Sequence, residues 1–88
     1  MEKRIGSVII LVEDRSQITA LNTLFTEYCD IVIGRQGLPL HNRGISVISI
    51  IVEGSTDEIG ALTGKIGKMK GLKVKSVLTS YRQNTDEQ

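Results

Sequence analysis

The sequence predicts an α+β fold of the ferredoxin-like kind, ordered strand, helix, strand, strand, helix, strand, with a four-stranded antiparallel sheet and two helices on one face. Three observations carry the prediction. Two runs, Ile5 to Glu13 and Ile45 to Glu53, are predominantly aliphatic at odd and even positions alike, as suits strands covered on both faces. Each run is followed by a helix-start signature and then by apolar residues at steps of three and four, the spacing of one helical stripe. The pair Val12-Glu13 recurs as Val52-Glu53, which marks two similar halves. Right-handed crossovers then put the first and third strands in the middle of the sheet and the second and fourth at its edges. The two most apolar strands are therefore the two central ones.

The first strand, Ile5 to Glu13, sets Ile5, Ile9 and Leu11 on one face and Val8, Ile10 and Val12 on the other. Asp14 and Gln17 have the spacing of a capping box, with Ser16 as the alternative cap, and Ile18, Leu21, Phe25 and Tyr28 form the stripe of the first helix. Cys29 and Asp30 break that pattern. Ile31 to Arg35 reads as a short strand, and Gln36 to Gly44, punctuated by Gly37, Pro39 and Gly44, as the long loop. Ile45 to Glu53 is the central strand, ended by Gly54. Ser55 to Glu58 is a second capping box whose acids suit the positive end of a helix; Ile59, Leu62, Ile66 and Met69 repeat the stripe before Gly71 stops it. Leu72 to Tyr81 is the last strand, with Leu72, Val74 and Leu78 on one face and Lys73, Lys75 and Val77 on the other. Residues 1–81 make a single domain, and residues 82–88, RQNTDEQ, are expected to form a disordered polar tail.

A chain of 88 residues is of a size that usually gains from staples or oligomerisation. Cys29 is the only cysteine, so an intramolecular disulfide and a tetrathiolate metal site are excluded. Two helices, each about 10 Å wide, cover one face of four strands spaced about 4.8 Å apart and no more. The face carrying Val8, Ile10, Val12 and their counterparts in the third strand is expected to need another cover, since exposure forfeits about 1.5 to 3 kcal/mol per side chain. Self-association into a homo-oligomer, a dimer or tetramer, follows as the expectation. Eleven basic against ten acidic residues argue against nucleic acid or a membrane surface as partner. The apolar run Ile5 to Val12 is too short to span a bilayer and lacks a cleavage pattern, so the cytoplasm is the expected address.

Two groups of residues stand out as candidate sites. Arg35, His41 and Arg43 gather among glycines in the 34–44 stretch and are candidates for ligand or subunit contact. Gly60, Gly64 and Gly67 share one stripe of the second helix, roughly opposite its apolar stripe. Each costs about 1 kcal/mol relative to alanine in a helix interior, so they read as a face for close backbone contact with another chain or a ligand. Lys65, Lys68, Lys70, Lys73 and Lys75 lack interleaved aromatics and read as a solvated face. Cys29 and His41 are the only soft metal ligands and have no paired spacing, so no metal or cofactor is assigned. No nucleophile-base pair, G-x-G-x-x-G, P-loop or paired-carboxylate arrangement occurs, and the chain is read as a non-enzyme.

MEKRI and VEDR at the start, DIVIGRQGLP at residues 30–39 and GISVISIIVEGSTDEIGALTGKIGKMKGLKVKSV at residues 44–77 resemble the family provisionally designated iron-only hydrogenase system regulators. The most specific pieces are Val12 to Arg15, Ile33 to Pro39 and Asp57 to Gly67. That family is similar to ACT domains and to the ligand-binding domain of nickel-responsive ribbon-helix-helix repressors, which tetramerise through such domains. The resemblance implies an ACT-like regulatory module, associated with an iron-only hydrogenase system, that senses a small-molecule effector or contacts a partner protein. Two departures limit it. No segment before Ile5 forms a ribbon-helix-helix, so direct DNA binding is not expected. The repressors hold nickel with histidines and a cysteine where this chain has Gly37, Leu38, Pro39 and Ser46, so the nickel site is not carried over. The alternative is a metal-responsive regulator using Cys29 or His41 across subunits.

Overall fold

The computed structural model describes residues 2–84. In chain order these are β1 (Glu2–Val12), a 3-10 turn (Arg15–Gln17), α1 (Ile18–Glu27), β2 (Val32–Leu40), a second 3-10 turn (His41–Arg43), β3 (Ile45–Gly54), α2 (Thr56–Gly67) and β4 (Leu72–Asn84). The strands form one antiparallel sheet ordered β2-β3-β1-β4, with the two aliphatic runs in the centre, as the sequence predicts. Both helices pack on one face. Val8, Ile10 and Val12 of β1 and Ile50 and Val52 of β3 are wholly enclosed there, beneath Leu21 and Phe25 of α1 and Leu62 and Ile66 of α2.

The two faces of the sheet are assigned the other way round from expectation. The Val8, Ile10, Val12 face meets the helices, and the face left uncovered carries Ile9 of β1 with Ile51 of β3. Both faces of each central strand are aliphatic, so alternation alone does not rank them. The register of β4 does: Lys73 stands opposite Leu11 and Lys75 opposite Ile9, and burying two lysines without partners beneath a helix would cost far more than leaving two aliphatic residues outside.

Element boundaries also differ. β2 does not stop at Arg35 but pairs with β3 through Gly37↔Ile48, Leu38↔Val47, Pro39↔Ser46 and Leu40↔Ile45. Pro39 has no N–H to give, which an edge strand tolerates. The expected loop thus shrinks to His41–Arg43 and Gly44, whose φ of 68° is the left-handed conformation glycine adopts without penalty. β4 runs past Tyr81, so the backbone of residues 82–84 lies in the sheet opposite Glu2, Lys3 and Arg4; the remainder of the expected tail, residues 85–88, lies outside the described residues. Asp14 caps the 3-10 turn, accepting from Ser16 N at 3.0 Å and Ser16 Oγ at 2.6 Å, and Gln17 makes no side-chain cap on α1. The second capping box forms as expected: Glu58 N donates to Ser55 Oγ at 3.1 Å and Ser55 N to Glu58 Oε1 at 2.9 Å.

Candidate functional site

The uncovered sheet face is built in rows that cross the strands. The registers align Leu38, Val47, Leu11 and Lys73 in one row, Gln36, Ser49, Ile9 and Lys75 in the next, and Gly34, Ile51, Ser7 and Val77 in a third. Ile9 is 51% exposed, Leu38 57% and Val77 70%, so aliphatic side chains stand in solvent from one edge of the sheet to the other. Between them lies a hollow of about 290 Å³ lined by Ile9, Leu11, Val47, Lys73, Val74 and Lys75. Its floor is apolar and its rim carries two lysines, one of which, Lys73, lies 3.7 Å from Glu13. This shape admits an apolar body with a polar or anionic end, or the side chains of another protein surface.

A second surface runs along the free edge of β4. Gly60, Gly64 and Thr63 of α2 border a groove of about 370 Å³ whose other wall is Val74, Lys75 and Ser76. Apart from the neighbouring backbone of α2 itself, no atom of the described residues comes within 4 Å of a Cβ placed at Gly60 or Gly64, whereas one at Gly67 would meet Val74 Cγ1 at 3.6 Å. The glycines therefore flank the helix on its β4 side. All three are exposed.

The three residues of the 34–44 stretch do not converge. Arg35 turns inward at the β2 edge: its Nη2 donates to Asn22 Oδ1 at 2.8 Å and its guanidinium lies 4.9 Å from the centroid of the Phe25 ring, so it ties β2 to α1. His41 and Arg43 sit at the hairpin tip around a depression of about 320 Å³. Cys29, exposed, precedes β2 and His41 follows it. Nine strand residues at about 3.3 Å each separate them by about 30 Å, so one chain cannot bring both to one ion. Among the described residues no group of three His, Cys, Asp or Glu side chains is placed to hold a metal.

The lysine run is also dispersed. Lys65 lies over Tyr28, with Nζ 5.0 Å from the ring centroid, and contact with the Tyr28 side chain raises its pKa, with Glu27 adding to the effect. Lys73 and Lys75 are on the uncovered sheet face instead. Sequence reasoning found the glycine flank but did not place Ile9, Leu11, Val47 and Leu38 together at a surface. The signal for them was the pair of lysines alternating with Val74, read against the neighbouring strand.

No helix among the described residues is long and apolar enough to cross a membrane, and no curated protein matches the chain. Among solved structures, TM1266 from Thermotoga maritima, an uncharacterised protein, superimposes with a TM-score of 0.83 at 32% identity, over 89% of this chain and 99% of that one. The ACT domain of GTP pyrophosphokinase from Chlorobium tepidum matches with a TM-score of 0.67 at 16% identity, over 90% of this chain and 89% of that one. An ACT domain protein from Streptococcus pneumoniae matches at 0.55 and 13% identity, over 85% and 89%; at these identities the two likenesses establish an ACT-like fold. The model of the TM1266-like family matches residues 4–76. The chain belongs to that family, provisionally designated iron-only hydrogenase system regulators.

Proposed function

We propose that the chain is a non-enzymatic regulatory module that works as a homo-oligomer, a dimer or tetramer, and responds to a small effector or a partner protein. One observation carries the reading: a β-sheet face with exposed aliphatic side chains on all four strands and a lysine-rimmed apolar hollow. Helices cover only the opposite face, and a core this small gains little from leaving such a surface wet. The family designation and the ACT-like fold support a regulatory role; the fold alone names no effector.

Sedimentation at high micromolar concentration tests the oligomer, and a monomer of about 10 kDa there, close to the chain mass of 9.7 kDa, overturns it. Thermal melting with amino acids and, separately, with nickel, zinc and iron tests the effector, because a ligand bound only by the folded state raises the melting temperature. A shift with a metal that is lost in Cys29→Ser or His41→Ala would favour ligands shared between subunits over an organic effector.

A further inference from the structure

We infer that β4 is the edge through which two copies join, antiparallel about a two-fold axis at Ser76, with the glycine flanks of their α2 helices facing each other. The inference rests on the oligomeric reading above and adds to it an edge contact separate from the uncovered sheet face.

The sheet has two free edges, β2 and β4. β2 is blunted twice over, by a register break between Val32 and Gly34 and by Pro39, the devices that discourage strand addition. β4 has a register break of its own, between Leu78 and Arg82, and carries Lys73 and Lys75, but it pairs regularly with β1 from Leu72 to Leu78 and, unlike β2, contains no proline.

Self-pairing then selects its own register. An axis at Lys75 would place that lysine against itself, a repulsive pair. An axis at Val77 would oppose Ser76 to Leu78 and Val74 to Ser80 on the helix side, setting hydroxyls against aliphatic groups. An axis at Ser76 opposes Val74 to Leu78 on that side, two side chains that are only partly buried against the core. It opposes Ser76 to itself, and Lys75 to Val77 on the uncovered face, where a lysine stem can shield a valine that is 70% exposed. Of the three, only this register matches apolar to apolar and hydroxyl to hydroxyl at the helix-side positions 74, 76 and 78 without a like-charge pair.

The helices supply an independent check. Paired β4 strands lie about 4.8 Å apart, so an α2 axis positioned between β4 and β1 stands about 5 Å from the dyad and the two α2 axes come within about 10 Å. Helices pack at 8–10 Å, and the flank that must face the partner is the one bearing Gly60 and Gly64 beside Val74, Lys75 and Ser76. A strip about 25 Å long and about 20 Å high buries about 1,000 Å² over both copies, the lower bound for a specific interface. A dissociable dimer is expected, with the uncovered sheet face still available.

The test is cysteine cross-linking in full-length Cys29→Ser protein. Ser76→Cys should give a covalent dimer on oxidation or with a short bismaleimide, at protein concentrations where sedimentation shows assembly. Lys73→Cys should not, since its copy lies six positions away in register, about 20 Å along the strand. Gln36→Cys, on β2, should not either. Wild-type protein that sediments as a monomer sinks both the oligomeric reading and this contact. Wild-type protein that assembles while Ser76→Cys stays uncross-linked, or while Lys73→Cys or Gln36→Cys cross-links instead, overturns the β4 contact alone.

Discussion

Gly64 is the position at which one methyl group reports what lies beside α2. It sits in the interior of a 12-residue helix, and apart from the helix's own neighbouring backbone nothing among the described residues approaches within 4 Å of a Cβ there. In a dissociated chain, Gly64→Ala should therefore stabilise by about 1 kcal/mol through helix propensity and a less flexible unfolded state. For a chain of this length that is a rise of about 5 °C in melting temperature. If a second α2 packs at about 10 Å, the larger Gly64→Leu side chain must be accommodated by separating the helices, and overpacking costs about 1 to 3 kcal/mol. The dissociation constant should then rise by about fivefold to 150-fold. Sedimentation across a dilution series measures the second effect, melting at the lowest workable concentration the first, and circular dichroism checks that helix content is unchanged. A Gly64→Leu protein that assembles with wild-type affinity would show that α2 presents its glycines to solvent and that their spacing has no bearing on assembly.

Other substitutions probe the fold around these surfaces. A Cβ at Gly6 would lie 2.5 Å from Leu78 Cδ2 and 2.7 Å from the Val77 carbonyl oxygen; the leucine tip can move but the backbone cannot, so Gly6→Ala should cost about 1 to 3 kcal/mol in a denaturant melt. Gly71 has φ 77° and a Cβ there would lie 2.5 Å from Asp14 Cβ, so Gly71→Ala should cost more, about 2 to 4 kcal/mol, and a neutral result would mean the 70–72 turn is not held against Asp14. The Ser16 hydroxyl and N–H hold Asp14 below the ordinary aspartate range, with Lys70 assisting. Its folded pKa is thus the lower of the two, and its stabilisation is present above the unfolded value of about 3.9 and lost as pH falls through the folded one. Asp14→Ala should accordingly melt below wild type at pH 7, with the gap narrowing as pH falls below about 3.9; a gap that does not narrow in acid would refute the assignment. With 11 basic and 10 acidic residues, non-specific DNA affinity should be negligible at physiological salt, and tight, salt-sensitive retention in a shift assay would contradict that.

What could be read from the sequence divides along physical lines. Strand order was legible because two continuous aliphatic runs have one place in a sheet covered on one side by helices. The Ser55 cap was legible because its box is reciprocal. The Asp14–Gln17 box did not form on α1 because an aspartate two residues before a serine finds a nearer partner; Asp14 caps a 3-10 segment instead and α1 begins at Ile18. β2 was read short because Gly37 and Pro39 punctuate a loop and an edge strand alike. The sheet faces were indistinguishable within β1 and β3 and became distinct only through β4, whose lysines align with Ile9 and Leu11 once the register is known. The glycine spacing was visible, but its meaning depends on which neighbour α2 overhangs, and that is set by strand order rather than by anything within the helix.

Placing the contact at β4 also changes what an effector would do. The hollow at Ile9, Leu11 and Val47 is walled on one side by Lys73, Val74 and Lys75, and Val74 and Lys75 are residues that the Ser76 register sets against a second chain. A molecule seated in the hollow therefore touches the strand that assembles. If its affinity differs between the single and the paired chain, linkage requires that it shift the pairing equilibrium by the same factor. A tenfold preference for the pair would lower the dimer dissociation constant a hundredfold when both hollows are filled, about 2.7 kcal/mol. An effector that prefers the pair should therefore show a melting shift that depends on protein concentration, and a shift that stays constant across a hundredfold dilution would show that its binding is not coupled to pairing.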